Sequence, residues 1–167
     1  KEKIIPLVKQ ISASPNKPKT DCLFHLFSKD KQLKFSLRIL EQMGYNFEAG
    51  RLDETVHPFA IGLNPGDVRV TTRYNEHDFR TAIFGTIHEG GHALYEQNIS
   101  KDLIGTPLCD GTSTGIHESQ SLFYENIVGR SLAFWKQNYE LLKTYASGQF
   151  DDIGVDDFYR AINESKP

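Results

Sequence analysis

Apolar positions recur at helical spacing along most of the chain, and alternate with polar ones in one short stretch. Residues 1–12, KEKIIPLVKQIS, read as a short helix with Pro6 near its first turn, and SPNKPKT as a loop. From about Asp30 to Met43, Leu33, Phe35, Leu37, Leu40 and Met43 keep a period near 3.6, and Gly44 is a stop signal. NFEAGRLDE, 46–54, reads as another loop. In HPFAIGLNPGDVRVTTRY, 57–74, the period changes to two. Val68, Val70, Thr72 and Tyr74 share one face, and Asp67, Arg69, Thr71 and Arg73 the other. Asn64-Pro65-Gly66 marks a turn, so the stretch predicts a β-hairpin. Its polar face is either a solvated edge or the wall of a cleft.

The helical period resumes after Asn75 and runs to about Asn98, with Ile83, Ile87 and Leu94 as a core stripe. SKDLIGTPLCDGTST is a loop. One long helix is then predicted from about Gly115 to Ala146, ended by Gly148, and a short one over VDDFYRAINES, 155–165. No internal repeat or flexible linker is visible. The expected architecture is mainly α with one small β element.

Composition narrows the class. The 167 residues suit one domain, with 38% hydrophobic and 25% charged residues. A net charge of −3 argues against a general nucleic-acid or anionic-membrane surface. No apolar run approaches membrane-spanning length, and no secretory signal is visible. Cys22 and Cys109 fit no disulfide or zinc-ribbon spacing and point to a reducing compartment.

The candidate chemistry lies in GTIHEGGHALYEQN, 85–98. Two histidines four apart on a helix share a face, roughly 6 Å apart along the axis. His88 and His92 can therefore turn to one metal ion, with Glu89 beside it where a general base for an activated water belongs. Gly90 and Gly91 each cost roughly 0.5–1 kcal/mol relative to alanine inside a helix, which close approach of another backbone or a substrate would justify. Exposed histidines at this spacing also occur without a metal. Glu118, in GIHESQSLFYEN, is a third candidate ligand if its helix folds back on the first; the alternative is a first-turn glutamate favoured by the helix dipole. Glu118, Leu122, Glu125 and Gly129 would share one face, and Gly129 would permit close packing. His117 competes as a ligand but points about 100° from Glu118, leaving it a supporting hydrogen bond or plain packing. Glu125 either orients a ligand histidine or is solvated.

Four motifs then stand in order: HPF at 57–59, DVRVT at 67–71, HEGGH at 88–92 and HESQ at 117–120, among longer runs such as GTPL and YENIVGRS. With them the chain resembles the metallocarboxypeptidases of the carboxypeptidase Taq family, convincingly over 50–167. The resemblance implies a zincin-like, mainly helical fold with a deep groove and a small β-hairpin or edge sheet beside the metal helix. It implies His88, His92 and Glu118 as metal ligands, Glu89 as general base, and one zinc or cobalt ion per chain. It also implies release of C-terminal residues from peptide substrates and a homodimer of the full-length enzyme; the charge and the cysteines add the expectation of a cytoplasmic location with no nucleic acid or membrane as partner. His57, Asp67, Arg69 and Arg73 are expected to border or brace the cleft, with His117 and Glu125 behind the ligands. Leu122 stands where the family pattern more often has an arginine. Family members are about three times as long, so residues 1–167 read as a single partial catalytic domain, with recognition of the substrate carboxylate expected beyond it. Two rivals remain: a related helical zinc endopeptidase or dipeptidase, and an inactive helical fragment or interaction domain with surface histidines.

Overall fold

The computed structural model describes residues 2–164. Their α-helices are α1 (Ile4–Ala13), α2 (Lys29–Met43), α3 (Arg80–Gln97), α4 (Thr114–Leu122), α5 (Leu132–Tyr145) and α6 (Val155–Ile162). Three short strands, β1 (Leu52–Glu54), β2 (Ala60–Asn64) and β3 (Asp67–Thr72), form one sheet in the order β1-β3-β2. The architecture is thus mainly helical with a small sheet, as the sequence predicts.

The sheet, α2, α4 and the segment after α4 all pack on α3. Its sequence carries apolar or small residues on several sides, and Ile83, Phe84, Ile87, Gly90, Gly91, Ala93 and Leu94 are all buried. A helix apolar nearly all round must be covered nearly all round. One side packs into the main core, where Trp135 of α5, Phe35 of α2 and Phe158 of α6 surround Phe79, Ile83 and Ile87. Trp135 is fully buried and makes ring contacts with Phe35, Phe84, Phe134 and Phe158. A second side meets the sheet through Val68, Val70, Leu40, Tyr45 and Ala93. The third side carries α4 and the segment after it.

The hairpin forms as predicted: β2 and β3 pair antiparallel, with Gly62 opposite Val68, and Gly66 N–H donates to Asn64 Oδ1 in the turn. The alternation holds for buried Val68 and Val70 against exposed Arg69, but fails at Thr71, which is also buried. Its hydroxyl accepts from Phe59 N–H at 2.8 Å and donates to Phe59 C=O at 3.0 Å. Thr72 Oγ1 donates to Ala82 C=O, fastening β3 to α3.

Two expectations need correction. The stretch 46–54 is not all loop: Phe47–Ala49 forms a 3₁₀ turn, and β1 pairs in parallel with β3. Three residues carry no readable period, and the pairing is non-local. The predicted helix over 115–146 is broken. It is α-helical to Leu122, widens into a π-helical segment at Phe123–Gly129, and restarts at Leu132. Ser131 ends one segment and caps the next, accepting from Phe134 N–H. Boundaries elsewhere shift only slightly: α1 starts at Ile4, α3 at Arg80, and α6 ends at Ile162. Ser165, the last residue of the predicted final helix, lies outside the described residues. α2 ends as expected at Gly44, with φ 92°.

Exposed apolar side chains include Ile4, Ile5, Leu7 and Ile11 on α1, Ile61 and Leu63 on β2, and Ile116, Phe123 and Ile127 along α4 and the π segment. Among the described residues, no helix is long and apolar enough to cross a membrane.

Candidate metal centre

The HEGGH pentapeptide lies in the middle of α3, and α4 folds back against it. The contact is backbone to backbone. A Cβ placed on Gly91 would lie 2.7 Å from Ser121 Cα and 3.2 Å from Gln120 C=O. Gly90 faces the opposite way, toward the side-chain tips of Leu40 and Met43 on α2. The two glycines let α3 be gripped from both sides.

This approach brings His88, His92 and Glu118 together, with one donor atom of each within 4.8 Å of the others. Glu118 Oε2 lies 3.2 Å from His92 Nε2 and 3.8 Å from His88 Nε2. Ligands about 2.0–2.1 Å from a tetrahedral ion stand about 3.3 Å apart; the Glu118–His92 pair already has that spacing, and no pair in the set exceeds 4.8 Å. Two neutral imidazoles and one carboxylate also make the right donor chemistry for a catalytic divalent ion. The residues present therefore fit such an ion.

Each histidine is held from behind. His88 Nδ1 lies 3.0 Å from Glu125 Oε2, whose other oxygen accepts from Arg130 Nη2 at 2.9 Å. Arg130 in turn stacks on Phe84, 3.9 Å from its ring centre. The Glu125 hydrogen bond raises the pKa of His88, and the same contact lowers that of Glu125. His92 is pushed down, first by burial and then by the nearby His117 and His88. A lowered pKa keeps an imidazole neutral, as a metal ligand must be. His92 Nδ1 lies 2.6 Å from His117 Nδ1, and His117 Nε2 lies 2.6 Å from Glu96 Oε1.

Glu89 is buried beside the two histidines. Burial raises its pKa, while His88 and the Ala60 backbone amide pull it back. The cleft over it is lined by Pro58, Phe59, Ala60 and Glu89 on one side and by Asp110, Gly111, Ser113 and Thr114 on the other. This gives HPF and DVRVT a structural part: Thr71 anchors Phe59, and Phe59 with its neighbours forms the wall beside Glu89.

The other expected cleft residues are elsewhere. Asp67 and Arg69 pair with each other on the exposed side of β3, Nε to Oδ1 2.9 Å. His57 and Arg73 are exposed, and none of the four lines the cleft. Alternation put Arg69 and Arg73 on the polar face, but Arg69 and, just past the end of β3, Arg73 look to solvent, whereas Thr71 between them is buried and Ala60 of β2 borders the centre. Two supporting residues were missed. Glu96 was legible, because it continues the i, i+4 series of His88 and His92 on one helix face. Arg130 had no signal, since it follows an unforeseen helix break. Leu122, expected on the ligand face, is exposed just before the π segment.

A model of the carboxypeptidase Taq (M32) metallopeptidase family matches residues 1–167. The chain belongs to this family. It is 64% identical over 167 residues to carboxypeptidase 1 of Bacillus subtilis, covering all of this chain and 33% of that one. It is 46% identical over 168 residues to thermostable carboxypeptidase 1 of Thermus thermophilus, covering all of this chain and 32% of that one. The fold superimposes on the crystal structure of the protein called BsuCP with a TM-score of 0.95 at 64% identity, covering 99% of this chain and 33% of that one. The chain thus spans about a third of the length of the curated relatives it matches. Membership implies a divalent metal, and His88, His92 and Glu118 are the group among the described residues that could hold one.

Proposed function

We propose that this chain is the metal-bearing part of a carboxypeptidase that releases C-terminal residues from peptides. The observation that carries the reading is the convergence of His88 Nε2, His92 Nε2 and Glu118 Oε2, with Glu89 buried alongside. His88, His92 and Glu118 would hold one divalent ion, zinc or cobalt. When bound, such an ion polarises a scissile carbonyl and acidifies water. Glu89 supplies what the ligands cannot. Its carboxylate accepts a proton from the attacking water, and the resulting carboxylic acid donates it to the leaving amine nitrogen. Burial suits both halves, because a raised pKa brings the carboxyl nearer to neutral pH and makes it a better base and a usable acid. Glu125 and His117 keep Nδ1 of each ligand histidine occupied, leaving Nε2 for the metal. Pro58–Ala60 and Asp110–Thr114 are the walls between which a peptide end would lie.

Peptide substrates, a homodimer and a cytoplasmic setting complete this reading at the length of the relatives. The domain assignment goes with it: residues 1–167 form one partial catalytic domain. The test compares a free peptide with its C-terminally amidated form, using protein at the relatives' length, with parallel metal analysis. Release of terminal residues from the free peptide alone, with one ion per chain, is expected. Equal cleavage of both forms would favour an endopeptidase. Absence of a stoichiometric ion would favour an inactive interaction domain.

A further inference from the structure

His117 stands one residue before Glu118; it meets His92 at Nδ1 where Glu118 meets it at Nε2, and its ring packs against α3 and the loop before α4. Tyr95 meets it edge-on, with ring centres 4.8 Å apart. A Cβ on Gly111 would come within 2.7 Å of its ring, so the loop passes directly over it. Glu96, its partner, is equally enclosed: a Cβ on Gly62 of β2 would lie 2.8 Å from Glu96 Oε2. Both side chains are largely buried. Two ionisable groups confined this closely need their hydrogen bonds satisfied.

The polarity of the chain follows from its geometry. His92 Nε2 is the nitrogen that faces Glu118, so in the ligand set it must be unprotonated. Nδ1 then carries the hydrogen of a neutral ring. It meets His117 Nδ1 at 2.6 Å, too close for hydrogens on both nitrogens, so His117 Nδ1 accepts. His117 must then carry its own hydrogen on Nε2, which donates to Glu96 Oε1 at 2.6 Å. Each link fixes the next, and the series ends on a carboxylate that only accepts.

We propose that Glu96 and His117 are positioning residues for the metal centre, a hydrogen-bonded chain that holds His92 in its Nδ1–H form with Nε2 turned toward the ion. This rests on the reading of His88, His92 and Glu118 as the ligand set. His88 is supported by one direct carboxylate, Glu125. His92 is supported by a carboxylate acting through a second imidazole, and that imidazole belongs to the same short motif as Glu118. Support of His92 and delivery of Glu118 are therefore two functions of adjacent residues.

The test measures metal affinity by competition with a chromophoric chelator, together with the visible spectrum of the cobalt-loaded protein, at the relatives' length. His117→Phe keeps the ring against Tyr95 but cannot accept from His92. It should weaken binding about 10–100-fold and alter the cobalt spectrum. His117→Asn restores an acceptor near the Nδ1 position and should recover much of the affinity and the parental spectrum. Glu96→Leu should weaken binding, and its combination with His117→Phe should be no worse than His117→Phe alone, because the links act in series. Gly62→Ala, which displaces Glu96 while leaving every polar group in place, should give a smaller loss in a fully folded protein. Parental affinity in His117→Phe, no recovery in His117→Asn, or additive losses in the double variant would each overturn the proposal. His92→Ala separates the two levels: if it still binds the ion normally, the ligand assignment itself is wrong.

Discussion

Gly91→Ala is the sharpest probe of how the centre is assembled. The added methyl would sit 2.7 Å from Ser121 Cα, where carbon atoms at rest stand about 3.5–4.0 Å apart. Its other neighbours are the Gln120 carbonyl and the Ser121 amide, so no side chain can swing aside and α4 itself must retreat by about 1 Å. Alanine favours the helix by about 0.5–1 kcal/mol, while overpacking of this kind costs about 1–3 kcal/mol, so stability should fall by about 1–2 kcal/mol. The effect on metal should be larger than the effect on fold. Glu118 lies one turn from Ser121 and moves with it, and ligand distances tolerate only about 0.2 Å. Metal affinity should drop about tenfold or more. Gly90→Ala is the control, because its methyl would meet only the tips of Leu40 and Met43, which can shift without moving α4. Chelator competition and urea unfolding of both variants decide the matter. Parental affinity in Gly91→Ala, or a larger metal defect in Gly90→Ala, would refute the argument that this glycine sets the position of Glu118.

Two further outcomes follow from the electrostatics. Glu89→Gln in metal-free protein should raise stability near neutral pH. Burial lifts the folded pKa of Glu89 above its unfolded value, so the parent loses stability as pH rises from about 4.3 through the folded pKa, and the neutral amide does not. Thermal unfolding in chelator across pH should show the gain vanishing in acid, and a gain that persists there would exclude the charge as its cause. In metal-loaded protein at the relatives' length, Glu89→Gln should keep the ion and lose most turnover; loss of the ion would make Glu89 a ligand or a structural residue. Glu125→Gln should lower the pKa of His88, seen by NMR of its ring protons without metal, because the Glu125 hydrogen bond is the main cause of the raised value. It should also weaken metal binding about tenfold. An unchanged His88 titration would show that something else supports that ring.

The parts of the site that could be read from sequence are those with a local period. His88 and His92 are visible because four residues make about one helical turn, and Glu96 belongs to the same series. The hairpin shows itself because a proline–glycine turn separates two alternating runs. The break at Gly129–Ser131 is hidden because apolar spacing continues across it, although serine before LAF is a helix-start signal. Thr71 could not be read as a buried anchor, because strand periodicity assigns it to the polar face and only the position of Phe59 reverses that. β1 is three residues long and pairs non-locally, Leu52 with Val70 and Glu54 with Thr72, which no local pattern reports.

The break in the long helix has a further consequence for the site. His88 has two carboxylates at opposite nitrogens, Glu118 at Nε2 and Glu125 at Nδ1, and both come from the same stretch of chain. To straddle one ring, that stretch must run close alongside α3 for two turns. Gly91 permits the approach at α4, and Gly129 permits it at the far end of the π segment, where a Cβ would fall 2.9 Å from Ile87 Cδ1 of α3. A glycine on each helix therefore sets the spacing at either end of the ligand set. Between them the chain widens into the π turn that carries Glu125, and such turns often mark functional positions in helices. The two glycines of HEGGH are thus part of the site's geometry: Gly90 admits α2, Gly91 admits α4, and Glu118 can come beside the two histidines because neither position carries a side chain.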